Sequence, residues 1–179
     1  MNEGGGGLNS KLKSILGIIV ISILLSTMGC SKDVPEDIVP EMPEDFNFKL
    51  TYGTYGKQKI DTFSNTVVKD LVEDGSIEAK IPFTKEEMKQ IYNEMIKINI
   101  MGELVVENEN EKECDFSTPS VTIWNIQMDG KTNSISTKNY CDGYPEDALK
   151  LVRLAENIHD ILINKEEYKD LPESKGYYE

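Results

Sequence analysis

Sixteen consecutive uncharged residues, Ser14 to Gly29, follow a short basic stretch holding Lys11 and Lys13. No other feature constrains the chain as much. Ile15 to Leu25 is strongly apolar. A helix needs about 20 apolar residues to cross the hydrocarbon core of a bilayer, so this run is marginal as an anchor. It has the length and flanks of the apolar region of a secretory signal peptide, which is removed and takes no part in a folded core. The core must then form from residues beyond Gly29, outside the cytosol.

The run closes on Ser26-Thr27-Met28-Gly29-Cys30, which resembles the lipobox of bacterial lipoprotein precursors. Small Gly29 fits the signal peptidase pocket, and Thr27 stands where that family usually has leucine. The resemblance implies that residues 1–29 are a lipoprotein signal peptide, recognised at its cleavage site through Thr27, Met28 and Gly29. It implies that Cys30 is the mature N-terminus and carries a diacylglyceryl thioether with palmitate-type chains. Two chains anchor stably where one is marginal, at about 0.8 kcal/mol per buried methylene. An ordinary secretory signal and an uncleaved anchor are the plainer alternatives; both also place the domain outside. The expected address is the extracytoplasmic face of the cell membrane, with the membrane engaged through lipid on Cys30.

Ser31 to Asp45 holds Pro35, Pro40 and Pro43 with six acidic residues and one lysine. Such a stretch cannot bury a core, so residues 30–45 read as an acidic, proline-containing tether. Beyond the signal the chain has 17 basic and 31 acidic side chains, a formal charge of -14 once Glu3, Lys11 and Lys13 are removed. A surface that negative repels phosphate backbones, which excludes nucleic acid as a partner and a polybasic patch as the membrane contact. Arg153, the only arginine, leaves no set for bidentate phosphate recognition.

Residues 46–164 carry the folding pattern. Phe46, Phe48, Leu50 and Tyr52 alternate with Asn47, Lys49 and Thr51, the pattern of a half-buried strand. Gly53 and Gly56 mark a turn, Thr66 to Val72 is a second strand, Asp74-Gly75 a turn, and Ile77 to Phe83 a third strand. Thr84-Lys85-Glu86-Glu87 reads as a capping box opening a helix to about Lys97. Val121 to Met128 and Lys131 to Asn139 form a hairpin about Asp129-Gly130, a sequence suited to the positive φ angles of a type I′ turn. Pro145 suits the first turn of a last helix. There Ala148, Leu151, Val152, Ala155, Ile158, His159 and Leu162 recur at helical spacing. The expected fold is α+β: about five antiparallel strands and two amphipathic helices in the order β-β-β-α-β-β-α. A charged, aromatic tail occupies residues 165–179.

No nucleophile elbow, zinc-binding His pair, phosphate loop or redox Cys pair occurs, so no catalytic residue, metal ligand or cofactor site is assigned. Cys114 and Cys141 flank the hairpin and, in an oxidising compartment, are expected to form a disulfide. Closing that loop contributes roughly 3–4 kcal/mol on the chain-entropy model; the alternative is two free thiols. His159, the single histidine, lies on the edge of the helix stripe and reads as a packing residue. The acids from Glu107 to Asp115 lack the spacing of a calcium loop and read as a solvated loop. Tyr52, Tyr55, Tyr144, Tyr168, Tyr177 and Tyr178 form either an aromatic contact surface or, for the tail tyrosines, a strap completing the core.

The stretch Phe46-Asn47-Phe48-Lys49-Leu50-Thr51-Tyr52-Gly53, the pair Lys69-Asp70, and Leu171-Pro172-Glu173 with Gly176-Tyr177 resemble a family of small uncharacterised lipoproteins of Gram-positive bacteria. That resemblance implies an address and a fold, with no active residues. Two functions follow as expectations: a tethered, non-enzymatic module that binds or inhibits an envelope partner, or a hydrolase of cell-envelope polymer using paired carboxylates. Glu3 and the glycines at 4–7 sit oddly before a basic segment and fit a translation start at Leu8, with purine-rich glycine codons serving as the ribosome-binding site. The nucleotide sequence checks this: a leucine-type start codon is expected at position 8, and an ordinary CTA codon there overturns it.

Overall fold

The computed structural model describes residues 40–107, 117–137, 140 and 143–179. The signal segment, Thr27, Met28, Gly29 and Cys30, most of the tether, and both Cys114 and Cys141 lie outside the described residues.

Alternation along the first apolar stretch yields β1 (Asn47–Thr54), with Phe48, Leu50 and Tyr52 buried and the intervening side chains turned away from the core. There follow β2 (Gln58–Asp61), β3 (Thr66–Val72), β4 (Gly75–Lys80), α1 (Lys85–Lys97), β5 (Ser120–Met128), β6 (Lys131–Thr137), α2 (Glu146–Ile163) and a single-turn α3 (Glu166–Lys169). All six strands form one open antiparallel sheet in the order β4-β3-β2-β1-β5-β6. The mixed class agrees with the sequence pattern, but the sheet gains a strand and the domain a helix. β2 escapes the pattern because four residues offer too little alternation, with Ile60 its only buried side chain. It begins two residues after Gly56, whose φ of +63° suits glycine and whose absent Cβ leaves room for Thr51 and Val121.

β1 is the pivot. It pairs with β2 on one side and, over eight residue pairs from Asn47↔Gln127 to Thr54↔Ser120, with β5 on the other. The registers align one apolar row across every strand: Ala79, Val67, Ile60, Leu50, Trp124 and Ile135. Ile91, Tyr92 and Met95 of α1 and Leu151, Leu154, Ala155, Ile158 and Leu162 of α2 join the same core, so one sheet face is covered. Leu154 is buried although the periodic stripe omits it, whereas Val152 and His159 sit at the stripe's half-buried margin.

Local chemistry fixes the connections. Thr84 Oγ1 accepts from the Glu87 amide at 3.2 Å and the Glu87 carboxylate accepts from the Thr84 amide at 2.7 Å, completing the capping box. Asp129 and Gly130 take φ angles of +51° and +67°, both positive as a type I′ turn demands. Their amides donate to the two carboxylate oxygens of Asp45, at 2.9 and 2.7 Å, which ties the start of the domain to this turn. β2 is too short to cover the second half of β3. The tail fills the gap: Lys175 N–H donates to Leu71 O at 3.1 Å and Glu73 N–H to Lys175 O at 3.2 Å, beside a parallel bridge at Val72.

Lys165, whose side chain is 9% exposed, donates to both oxygens of Glu87 at 3.0 and 2.8 Å and so ties the end of α2 to the cap of α1. Burial raises the Glu87 carboxyl, but the Lys165 hydrogen bond and the Thr84 amide outweigh it and hold it below its ordinary 4.5. A carboxyl depressed in the folded state contributes stability above its unfolded pKa and loses it as pH falls through the folded value. Lys165→Met is expected to cost about 1–2 kcal/mol at pH 7, because Glu87 loses its partner. Glu87→Gln is expected to flatten the loss of stability below about pH 4.5. Urea titrations between pH 3 and 7 check both, and an unchanged acid limb in Glu87→Gln contradicts the assignment.

Candidate functional site

The apolar row through Leu50 and Trp124 is followed, two residues along each strand, by a polar one: Gln58, Tyr52, Thr122 and Thr137, again in direct cross-strand register. The sheet's core face thus changes character within one pleat. Over this polar row α2 supplies Val152, Ala155, Glu156, His159 and Asp160, and the two surfaces enclose a cleft of about 290 Å³ that Gly53 and Ser120 complete. The helix residues recur at i, i+3, i+4, i+7 and i+8, so one edge of α2 faces the cleft while its neighbouring face fills the core.

Tyr52 and His159 join the cleft's two walls. The Tyr52 hydroxyl lies 2.9 Å from His159 Nδ1, and the rings meet edge to face at 5.6 Å. Burial first, and then Tyr168, push the Tyr52 phenol far above its ordinary 10, so it stays protonated. Burial lowers His159 below its ordinary 6.5 against the opposing pull of Asp160. The imidazole is therefore neutral at pH 7, and one hydrogen joins Nδ1 to the Tyr52 oxygen in whichever direction the ring's tautomer sets. Tyr168, raised by burial, packs edge to face on the far side of the ring at 6.3 Å and lies under the Lys69 ammonium at 4.7 Å. A histidine held in this way has Nδ1 engaged and its ring fixed against the opposite wall.

Thr122 is 6% exposed, lines the cleft, and its hydroxyl has no hydrogen-bond partner among the described residues; the Gln58 amide has none either. Glu156 and Asp160 are exposed, stand at i and i+4, and form no ion pair among the described residues. Like charges at that spacing repel by a few tenths of a kcal/mol. Asp160 also lies in the last turn of α2, which has no basic residue to balance the negative end of the helix dipole. No lysine or arginine lines the cleft. Among the described residues no group of His, Cys, Asp and Glu is arranged to hold a metal ion.

His159 thus packs, as its position on the helix predicts, but it also makes a specific side-chain bond across 107 residues that sequence spacing does not reveal. The six tyrosines do not form one surface. Tyr52 and Tyr168 are buried, Tyr55, Tyr144 and Tyr177 are exposed, and Tyr178 donates to Asp70. Cys30, Cys114 and Cys141 lie outside the described residues, as does all of the acidic loop after Glu107 as far as Phe116. Among the described residues no helix is long and apolar enough to cross a membrane. No protein-family model matches the chain, and neither a curated protein nor a solved structure matches it significantly.

The hydrogen bond and the neighbouring charge give His159 a titration that can be read by NMR. Tyr52→Phe removes the hydrogen bond at Nδ1 and is expected to shift the His159 pKa, at a stability cost of about 1 kcal/mol. Asp160→Asn removes the charge that raises it and is expected to lower it further. Because the folded value lies below the unfolded one, this site's contribution to stability falls as pH drops from about 6.5 toward the folded pKa and is level below it. A His159 that titrates unchanged in both variants contradicts the arrangement.

Proposed function

We propose that the chain is a lipid-anchored extracytoplasmic binding module, acylated on Cys30, that uses the Tyr52–His159 cleft to hold a ligand and performs no chemistry on it. The observation that carries the non-enzymatic reading is the engagement of His159 Nδ1 by the Tyr52 hydroxyl. It holds the site's one imidazole against a phenol in place of the orienting carboxylate or the nucleophile that a histidine base works with. The cleft supports binding because hydroxyl, amide and carboxylate groups converge on one concavity. Concave sites of this kind, apolar at the floor and sparingly polar at the walls, are where proteins take small ligands.

The rival is a carboxylate-dependent hydrolase of envelope polymer, and Glu156 with Asp160 is the pair that favours it. Hydrolysis needs two carboxylates flanking the scissile bond. Here both come from one face of one helix, and the opposite wall offers Gln58, Ser120 and Thr122.

The address is supported by the uncharged run and Cys30, and a disulfide between Cys114 and Cys141 belongs to the same proposal, since it requires an oxidising surrounding. Growth with a clickable palmitate analogue is expected to label the wild type in the membrane fraction and to leave Cys30→Ser unlabelled. Unlabelled wild type recovered from the cytosol overturns the address. Release of reducing sugar from purified cell wall, lost in Glu156→Gln or Asp160→Asn, overturns the non-enzymatic reading.

A further inference from the structure

We propose that the turn between β2 and β3, with Phe63 at its tip, rests in the headgroup layer of the bilayer to which the chain is anchored. The inference rests on the reading of the chain as a lipid-anchored module and names the surface that the module turns toward the membrane. Three features meet at this corner of the sheet: an exposed aromatic ring, the entry of the tether, and a local excess of lysine in an acidic molecule.

Phe63 is 51% exposed, although the turn that carries it is pinned on every side. Thr62 N–H donates to Phe48 O and Ile81 N–H to Asn65 O, both at 3.0 Å. Asp61 Oδ1 accepts from the amides of Phe63 and Ser64 at 3.0 and 3.3 Å. A ring on so fixed a turn has no route into the core, and burial against another apolar phase is the gain left open to it. Exposed Pro82 and half-buried Phe83 follow Ile81 at the same corner. Single exposed apolar side chains are ordinary on a protein surface. The place of this one is what matters.

The tether enters the domain at this end of the sheet. Met42 packs against the core, Asp45 bonds the β5–β6 turn, and Phe48 N–H donates to Thr62 Oγ1 at 2.8 Å. The covalent path from Cys30 to Pro40 is ten residues, at most about 36 Å when extended. A tether that short gives a weak apolar contact an effective concentration that a free domain lacks. Charge selects the corner. An acidic domain is repelled by anionic headgroups, but residues 62–68 carry no charge. Behind the turn Lys80, Thr66, Asp61 and Lys49 stand in direct cross-strand register, and Lys49 holds Asp61 at 2.7 Å. Two lysines thus face one acid there. Across β1 the same end carries Glu44, Asp45, Asp129 and Lys131, so the β2–β3 side leads the approach. The Tyr52–His159 cleft begins at the other end of β1, where Gly53 stands six residues beyond Asn47. That is about 20 Å at 3.3 Å per residue, so the contact holds the cleft clear of the bilayer.

The lipoprotein, with acylation of Cys30 read by mass, is reconstituted into phosphatidylcholine–phosphatidylglycerol vesicles whose acyl chains carry bromine, a contact quencher of indole. Trp124, the chain's only tryptophan, is fully buried at the centre of the sheet, and the wild type measures its constant background. The new indole of Phe63→Trp is expected to lose about half its emission relative to vesicles without bromine. That of Tyr177→Trp, at a position 80% exposed beside the far end of β3, is expected to lose less than about one tenth. Both positions are exposed, so both far-UV spectra should match the wild type. Equal quenching at the two positions, or none in Phe63→Trp, overturns the contact while leaving the anchored module in place. A blue shift without quenching that grows with protein density puts the ring against a second copy and also overturns it. A chain without an acyl group on Cys30 overturns the address itself, and the contact with it.

Discussion

Everything in this fold depends on the pairing of β1 with β5. The two strands are separated by a four-stranded meander's remainder, a helix and an acidic stretch of sequence, yet they meet over eight residue pairs, and through them the N-terminal meander and the C-terminal hairpin become one sheet. Loop-closure entropy opposes such a long-range contact. Its reward is Leu50 beside Trp124 and Phe48 beside Ile126, four of the most deeply buried side chains in the molecule. A slip of one residue would carry all of them to the solvent face, because side chains alternate with a period of two. The register is therefore set by burial. The Asp45 carboxylate reinforces it by bonding the turn between β5 and β6 to the residue that precedes Phe46.

The same register places the cleft. Once Leu50 faces Trp124, Tyr52 must face Thr122 and Gln58, and the sheet's last core row is polar. α2 cannot close over that row as it closes over the apolar one, since Val152, Glu156, His159 and Asp160 meet it at the helix's edge. Tyr52 and His159 bridge the gap with one hydrogen bond. The core thus stops at a row where its polar groups have few internal partners. Trp124 shows the contrary case: its indole N–H is fully buried without a partner, a cost that the packing of the ring at the sheet's centre has to offset.

Much of this was legible in the residues. Strict alternation gave β1, the capping-box spacing gave α1, and Asp129-Gly130 gave the hairpin with its turn type. In each case a local rule and the tertiary environment demand the same thing. β2 was not legible, because Gln58–Asp61 owes its strand conformation to its neighbours on both sides. Leu154 was legible yet passed over: it stands three residues after Leu151 and four before Ile158, on the same helical face, and is buried with them. The cleft was half visible. Tyr52 and His159 each lie on an apolar face, but their meeting depends on a sheet register and a helix placement that no spacing encodes. The opposed tyrosine and histidine shifts follow from burial first, and so were equally hidden.

The aromatic tail illustrates how composition can mislead about where a surface lies. Six tyrosines suggest a contact patch, yet the fold uses several of them internally. Tyr168 is buried between His159 and Lys69, and Tyr178 donates to the Asp70 carboxylate while packing edge to face on Tyr55. Asp70 is itself buried, and its other oxygen accepts from the Val72 amide at 3.0 Å. Val72 stands at φ +63°, a strained conformation for a β-branched residue, at the point where the β3–β4 register shifts. Ser174 Oγ donates to the Asp70 carbonyl at 2.6 Å, and Lys175 bridges to Val72 itself. Ser174, Lys175 and Tyr178 are therefore accounted for by one local demand. A carboxylate buried to hold a strained bulge requires partners, and the end of the chain returns across the sheet to supply them.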